Sequence, residues 1–427
     1  MPKSFREARP GRYLLTLVLS VLLLSAALPA AHAQRLEVWY LNASAEFLDL
    51  LESEWIPEFE AMHPGVTVEV RKISWSQFDN QLRVAFAAGN APDLFQAGAE
   101  YRAVMAENGF ARPIDDFLQD WPEWEQFVPG TWQTVVWKGQ AYGVPALTSP
   151  RTIIYNKSVF SQAGLPDEPP RTWEDLRTIA LKINEEDAEG YLTRIGMEVR
   201  RAAISLHFIL PFFLQNEVSI LNEDGTRVAF NTPAGAETLE YLADLSQTVS
   251  PLGKTANLMS ANPTINLIEG RAAMMYGNSG VLRTAQETNP AYVDDLGVAP
   301  PLTKKVQAGV TYTDWWAISS TSPHPELAFE FVKFLSDPDR LRIYNEMISY
   351  IPPRQDSITS DWIAANPGLA LFAEAVLPYA QPFFSSQHAL ELTRSFDQRM
   401  AAVMDGQMPP TEALEAIAAE YDGLAAN

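Results

Sequence analysis

The side chains that could do acid, base or metal chemistry are numerous here, but they form no recognisable constellation. Beyond residue 33 the histidines stand at 63, 207, 324 and 388, and none falls into HExxH or a comparable ligand spacing. The chain has no cysteine, so common zinc sites shrink to His and carboxylate donors, and neither a metal nor a cofactor is expected. There is no GxSxG elbow, no GxxxxGK[ST] loop and no GxGxxG after a strand. Acyl transfer, nucleotide hydrolysis and dinucleotide chemistry therefore lack their supports. Glycoside hydrolysis asks only for two carboxylates. With 53 Asp and Glu residues, it stays open as the enzymatic alternative. One aromatic could serve recognition instead of simply filling the core: Trp75 lies between Ser74 and Ser76-Gln77, polar neighbours that favour a cleft over an interior position. A ring in such polar company can lay a flat apolar face, roughly 150–250 Å² at most, against the C–H face of a saccharide ring.

Strand and helix patterns alternate around these residues, which predicts an α/β architecture. Arg35–Leu41 reads as a strand and 47–62 as a helix with Leu50, Leu51, Trp55, Phe59 and Met62 at helical spacing. Val66–Ile73 alternates as a second strand, 77–88 is helical, and Asp93–Gln96 is a third strand after Gly89-Asn90-Ala91-Pro92. Ligands of such sheets sit beyond the carboxyl ends of the strands. The rim positions are then Asn42–Ser44, Ser74–Trp75 and Gln96–Glu100. Further on, Ile153-Ile154-Tyr155 predicts a short buried strand between Pro150 and Asn156, and Thr172 opens a helix over 173–183 with Glu174 and Asp175 in its first turn. Gly309–Ser319 alternates as a long strand.

The chain begins as an exported protein does. Lys3, Arg6, Arg9 and Arg12 precede an apolar run from Leu14 to Leu28, and Ala31-His32-Ala33 supplies a cleavage site, which predicts a leader removed before Gln34. The run is shorter than the ~20 residues of a spanning helix, and with no cysteine no lipid anchor is expected either. Without residues 1–33 the formal charge moves from −22 to −25, which argues against nucleic acid and anionic lipid as partners. The remaining length exceeds the ~250–300 residues at which single cores stop growing, so two lobes are expected.

Five segments carry a resemblance in order: WSQFDNQLRVAFAAGNAPDLFQAG, GQAYGVPALTSPRTIIYNKSVFSQAGLPDEPPRTWEDL, LIEGRAAMMYGNSG, DLGVAPPL, and DWWAISSTSPHPELAFEFVKFLSDPDRLRIYNEMISYIPPR. Together they resemble the family 1 extracellular solute-binding proteins of ABC importers, which include maltose- and glycerol-3-phosphate-binding proteins. The resemblance implies a type II periplasmic-binding-protein fold. Residues 34–146 with 315–349 would form one lobe and 147–314 with 350–427 the other, joined by a multi-strand hinge. It further implies a monomer, periplasmic or extracellular, that closes on a small solute and hands it to a membrane permease. A mono- or short oligosaccharide is the expected solute, with glycerol-3-phosphate or a glycerophosphodiester as the runner-up.

Ligand contacts follow by position. From the rim come Asn42, Ser44, Trp75, Gln96, Gly98 and Glu100. By resemblance, Ser149 lies six residues before the tyrosine of YNK, where relatives place a polar contact. Tyr276, Asn278 and Ser279 would line a roomier wall, since Gly280 stands where maltose-type relatives carry a stacking tryptophan. Gly309 completes that side. Trp315 and Trp316 are neighbours on a strand, so only one of them should face the ligand. Tyr350 and Arg354 resemble the GYxPxR turn of the glycerol-3-phosphate branch, where Arg354 either forks onto a ligand or, the favoured alternative, forms a structural salt bridge, with Arg394 as a second candidate cation.

Overall fold

The computed structural model describes residues 34–199, 201, 205–222, 225–255, 258 and 262–425. The expected leader lies outside the described residues. Eight strands make one continuous sheet. Gln34–Tyr40 lies between Val66–Lys72 and Leu94–Ala97, parallel to both. Leu94–Ala97 then pairs antiparallel with Gly309–Ile318, which pairs antiparallel with Val144–Asn156. Leu296–Val298 and Met274–Asn278 continue the sheet from Val144–Asn156, and Ala380–Pro382 adds to Gly309–Ile318.

Two strands cross from one apolar core to another. Val144, Ala146 and Leu147 pack with Leu36, Phe47, Phe78 and Phe331, and so do Trp315, Trp316 and Ile318. Farther along the same strands, Ile153, Tyr155, Val310 and Tyr312 pack with Phe160, Trp173, Phe213 and Phe396. A third cluster gathers Ile154, Leu267, Val281 and Phe372. The stretch between the cores is polar yet buried, and the hydroxyls of Thr148, Thr311 and Thr313 find no partner there.

The expected three-residue strand around Ile153 is in fact 13 residues long, Val144–Asn156. Pro145 and Pro150 hid it, because proline is uncommon inside a paired strand. They are accommodated opposite Trp315 and Thr311, with a register irregularity between Asp314 and Trp315. The helices follow their sequence signals more closely. Trp173–Ile183 begins with a complete capping box: the Thr172 hydroxyl accepts from Asp175 N, and the Asp175 carboxylate accepts from Thr172 N. Such a cap is worth about 1 kcal/mol. The helix that starts at Trp75 runs to Ala88 and ends on Gly89 at φ 72°, a left-handed stop that glycine takes without strain.

Candidate functional site

A hollow of about 550 Å³ lies where the two crossing strands pass between the cores. One wall comes from the first core's side: Asn42 after its strand, Trp75 and Ser76 at a helix start, and Glu100 and Tyr101 on the short turn Ala99–Tyr101. The crossing strands supply Ser149, Arg151, Tyr312 and Asp314, whose i, i+2 spacing puts each pair on one face. His207, Tyr350, Leu390 and Thr393 close the far side. Of the residues expected from sequence, Asn42, Trp75, Glu100, Ser149 and Tyr350 therefore meet around one space.

Their orientation is fixed by hydrogen bonds. Asn42 donates through Nδ2 to Asp314 Oδ2 at 2.5 Å and accepts on Oδ1 from Trp75 Nε1 at 3.2 Å, so one amide sets both the carboxylate and the indole. Trp75 is 39% exposed, with its edge toward Phe78. Ser149 Oγ accepts from Asn278 Nδ2 at 3.0 Å. The Arg151 guanidinium lies 4.0 Å over the Tyr312 ring and meets His207 Nδ1 at 3.1 Å, while the imidazole stacks on Tyr312 at 4.7 Å between centroids.

Other expected contacts need correcting. Gln96 is fully buried, and its amide is spent on Leu41 N, Asn42 N and the Tyr344 hydroxyl; it holds the Asn42 loop from beneath. Ser44 turns its hydroxyl to Phe47 N as a helix cap. Ser279 is buried and donates to Ser349 O. Neither Trp315 nor Trp316 faces the hollow: Trp315 donates from Nε1 to Gly98 O, and Trp316 packs edge-on to Tyr40. Both indoles pack within the first core. Gly98 presents only its carbonyl to Trp315, and a Cβ there would stand 2.7 Å from Glu100 Oε2. Gly309 packs under Pro301 in a different crevice. Tyr276 and Asn278 line a neighbouring cavity of about 260 Å³ that shares Arg151 and His207 with the main one. Arg354, 3% exposed, is engaged by Asp356 and Ser336 O and is structural. Arg394 pairs with Asp79 at 3.5 Å.

Arg151, Tyr312 and Asp314 escaped the sequence reading. Asp314 carried the clearest signal, a carboxylate inside the otherwise apolar alternation of Val310, Tyr312, Trp316 and Ile318. Burial, reinforced by Glu100 and opposed by the Asn42 bond and Arg151, pushes its carboxyl up to about 8. Glu100 is raised as well, first by burial. Tyr344 and Tyr350 are the further titratable groups that sense Asp314. Unfolded carboxylates titrate near pH 4, so the native protein holds an extra proton between about pH 4 and about 8. The stability from this group is complete below that window and is lost as pH rises through about 8. Urea unfolding of the ligand-free protein should show this fall, and Asp314→Asn should flatten it; identical slopes for both proteins would remove Asp314 as its source.

A model of the bacterial extracellular solute-binding protein family matches residues 44–340. The chain belongs to that family. Its members are substrate-binding proteins of ABC transporters, not enzymes, and they work in the periplasm or outside the cell. This solute-binding protein is 23% identical to a binding protein of Brucella abortus over 95% of its own length and 96% of the relative's. It is 24% identical to the maltotriose-binding protein of Pyrococcus abyssi over 86% of this chain and 75% of that one. An ABC transporter solute-binding protein of Thermotoga lettingae, crystallised with α-D-tagatose, superposes with a TM-score of 0.79 at 26% identity, covering 92% of this chain and 100% of that one. The fold is the two-lobed α/β fold of these binding proteins.

Proposed function

We propose that this protein captures a carbohydrate, from a monosaccharide to a short oligosaccharide, in the hollow between residues 34–146 with 315–349 and residues 147–314 with 350–427. The observation that carries the reading is one hollow in which Trp75, Asn42 and Glu100 from the first core's side meet Ser149, Arg151 and Asp314 from the crossing strands. A flat apolar face flanked by bidentate acceptors and donors is complementary to a sugar, whose ring is apolar on its faces and hydroxylated at its rim. Ligand contacts are assigned to Asn42, Trp75, Glu100, Ser149, Arg151, Asp314 and Tyr350. A solute that touches both lobes only when they are closed shifts the population toward closure by its differential affinity for that state. The closed monomer then delivers it to a membrane permease. Export proceeds through cleavage before Gln34.

Glycerol-3-phosphate or a glycerophosphodiester is the alternative ligand. The engagement of Arg354 by Asp356 and the two carboxylates lining the hollow favour the uncharged rim of a sugar over a phosphate. A thermal-shift screen against sugars, sugar phosphates and glycerophosphodiesters tests the choice. A ligand at 100 times its Kd adds ~2.7 kcal/mol of stability. Shifts confined to phosphorylated ligands would overturn the carbohydrate reading, and consumption of a glycoside during incubation would restore the hydrolase.

A further inference from the structure

The charges around the hollow do not cancel. Glu100 and Asp314 both line it, while Arg151 is the one Lys or Arg side chain among its lining residues. Neither carboxylate is in an ion pair among the described residues: Asp314 is held by the neutral amide of Asn42. Arg151 stacks on Tyr312 and bonds His207; its charge favours ionisation of both carboxyls, yet burial still leaves both raised. The seat of Glu100 is built for it, because its carboxylate occupies the space that any side chain at position 98 would need. A neutral hydroxyl can bond such a pair of carboxyls but brings no charge that would let both ionise. An ammonium group has three N–H donors and the compensating charge. The aromatic residues Trp75, Tyr101 and Tyr350 in the same lining suit a cation as well.

We propose that the captured sugar carries a protonated amine, which Glu100 and Asp314 hold between them, so that the solute is an amino sugar or a short oligosaccharide of amino sugars. This rests on the carbohydrate reading and narrows it. Without a cation the pair keeps a proton, since burial raises both carboxyls and pushes Asp314 up to about 8. An incoming ammonium displaces that proton, and a neutral sugar does not.

Titration calorimetry of the exported protein at about pH 6.5, where a sugar amine is protonated, tests the inference. The probes are the 2-amino, 2-acetamido and 2-hydroxy forms of glucose, galactose and mannose, with the β-1,4-linked dimers of the gluco series. The amine should bind at least tenfold tighter than its acetylated and hydroxyl counterparts. Its heat should change between buffers of different ionisation enthalpy, in the sense of proton release. In Asp314→Asn, with folding checked by circular dichroism, the ratio of amine to hydroxyl affinity should fall toward one. Neutral sugars binding as tightly as the amines would overturn this inference while leaving the carbohydrate reading intact. Failure of every probe to bind would overturn both.

Discussion

Trp315→Ala should destabilise the protein by about 3–5 kcal/mol, the range for deleting a buried tryptophan or phenylalanine. Trp315 is among the largest fully buried side chains, and its indole packs in the first core beside the crossing point. Its neighbourhood cannot collapse into the gap easily: Gly143 already lies so close that a Cβ there would stand 2.3 Å from the Trp315 ring and 2.1 Å from Trp316 O. Trp315→Phe separates the two contributions. It keeps most of the ring and loses the bond to Gly98 O, which on its own is worth about 1 kcal/mol. Urea unfolding followed by circular dichroism reads both variants. A loss below about 1 kcal/mol for Trp315→Ala would mean that the first core does not depend on this residue.

Trp75→Ala should act in the opposite compartment, weakening sugar binding at least tenfold, or ~1.4 kcal/mol, with little effect on unfolding. Its ring is 39% exposed and faces the hollow, so truncation removes a stacking surface and leaves no buried void. The change also frees Asn42 Oδ1, loosening the amide that orients Asp314. Calorimetry with whichever sugar the thermal-shift screen returns decides the matter, and unchanged affinity would take Trp75 out of the site.

The three tryptophans show what sequence could and could not convey. Trp75 was legible because its polar neighbours contradict a core position. Trp315 and Trp316 were misread because alternation on a strand separates two faces without saying that both are covered by protein. The helices were readable from their spacing and caps, as with Thr172, whose partners are three residues away. Val144–Asn156 was not, because its two prolines argue locally against a strand that only pairing with Gly309–Ile318 explains. Arg151 was lost with it: once the strand is extended, Arg151 follows Ser149 on the same face. Asp314 was concealed by treating its strand as an apolar alternation, although a lone carboxylate in such a pattern marks a place where the strand is not simply core.

The irregularity between Asp314 and Trp315 sets a boundary for how this protein can diversify. On one side of it the strand presents a carboxylate to the hollow; on the other it drives an indole into the interior. Inserting or deleting a single residue there would exchange those two fates, exposing the indole and burying the acid. New ligand preferences must therefore arise by swapping side chains at fixed positions, while changes of length are confined to the loops outside the crossing. A lineage searching for another sugar can rewrite the letters along this strand but not its spacing.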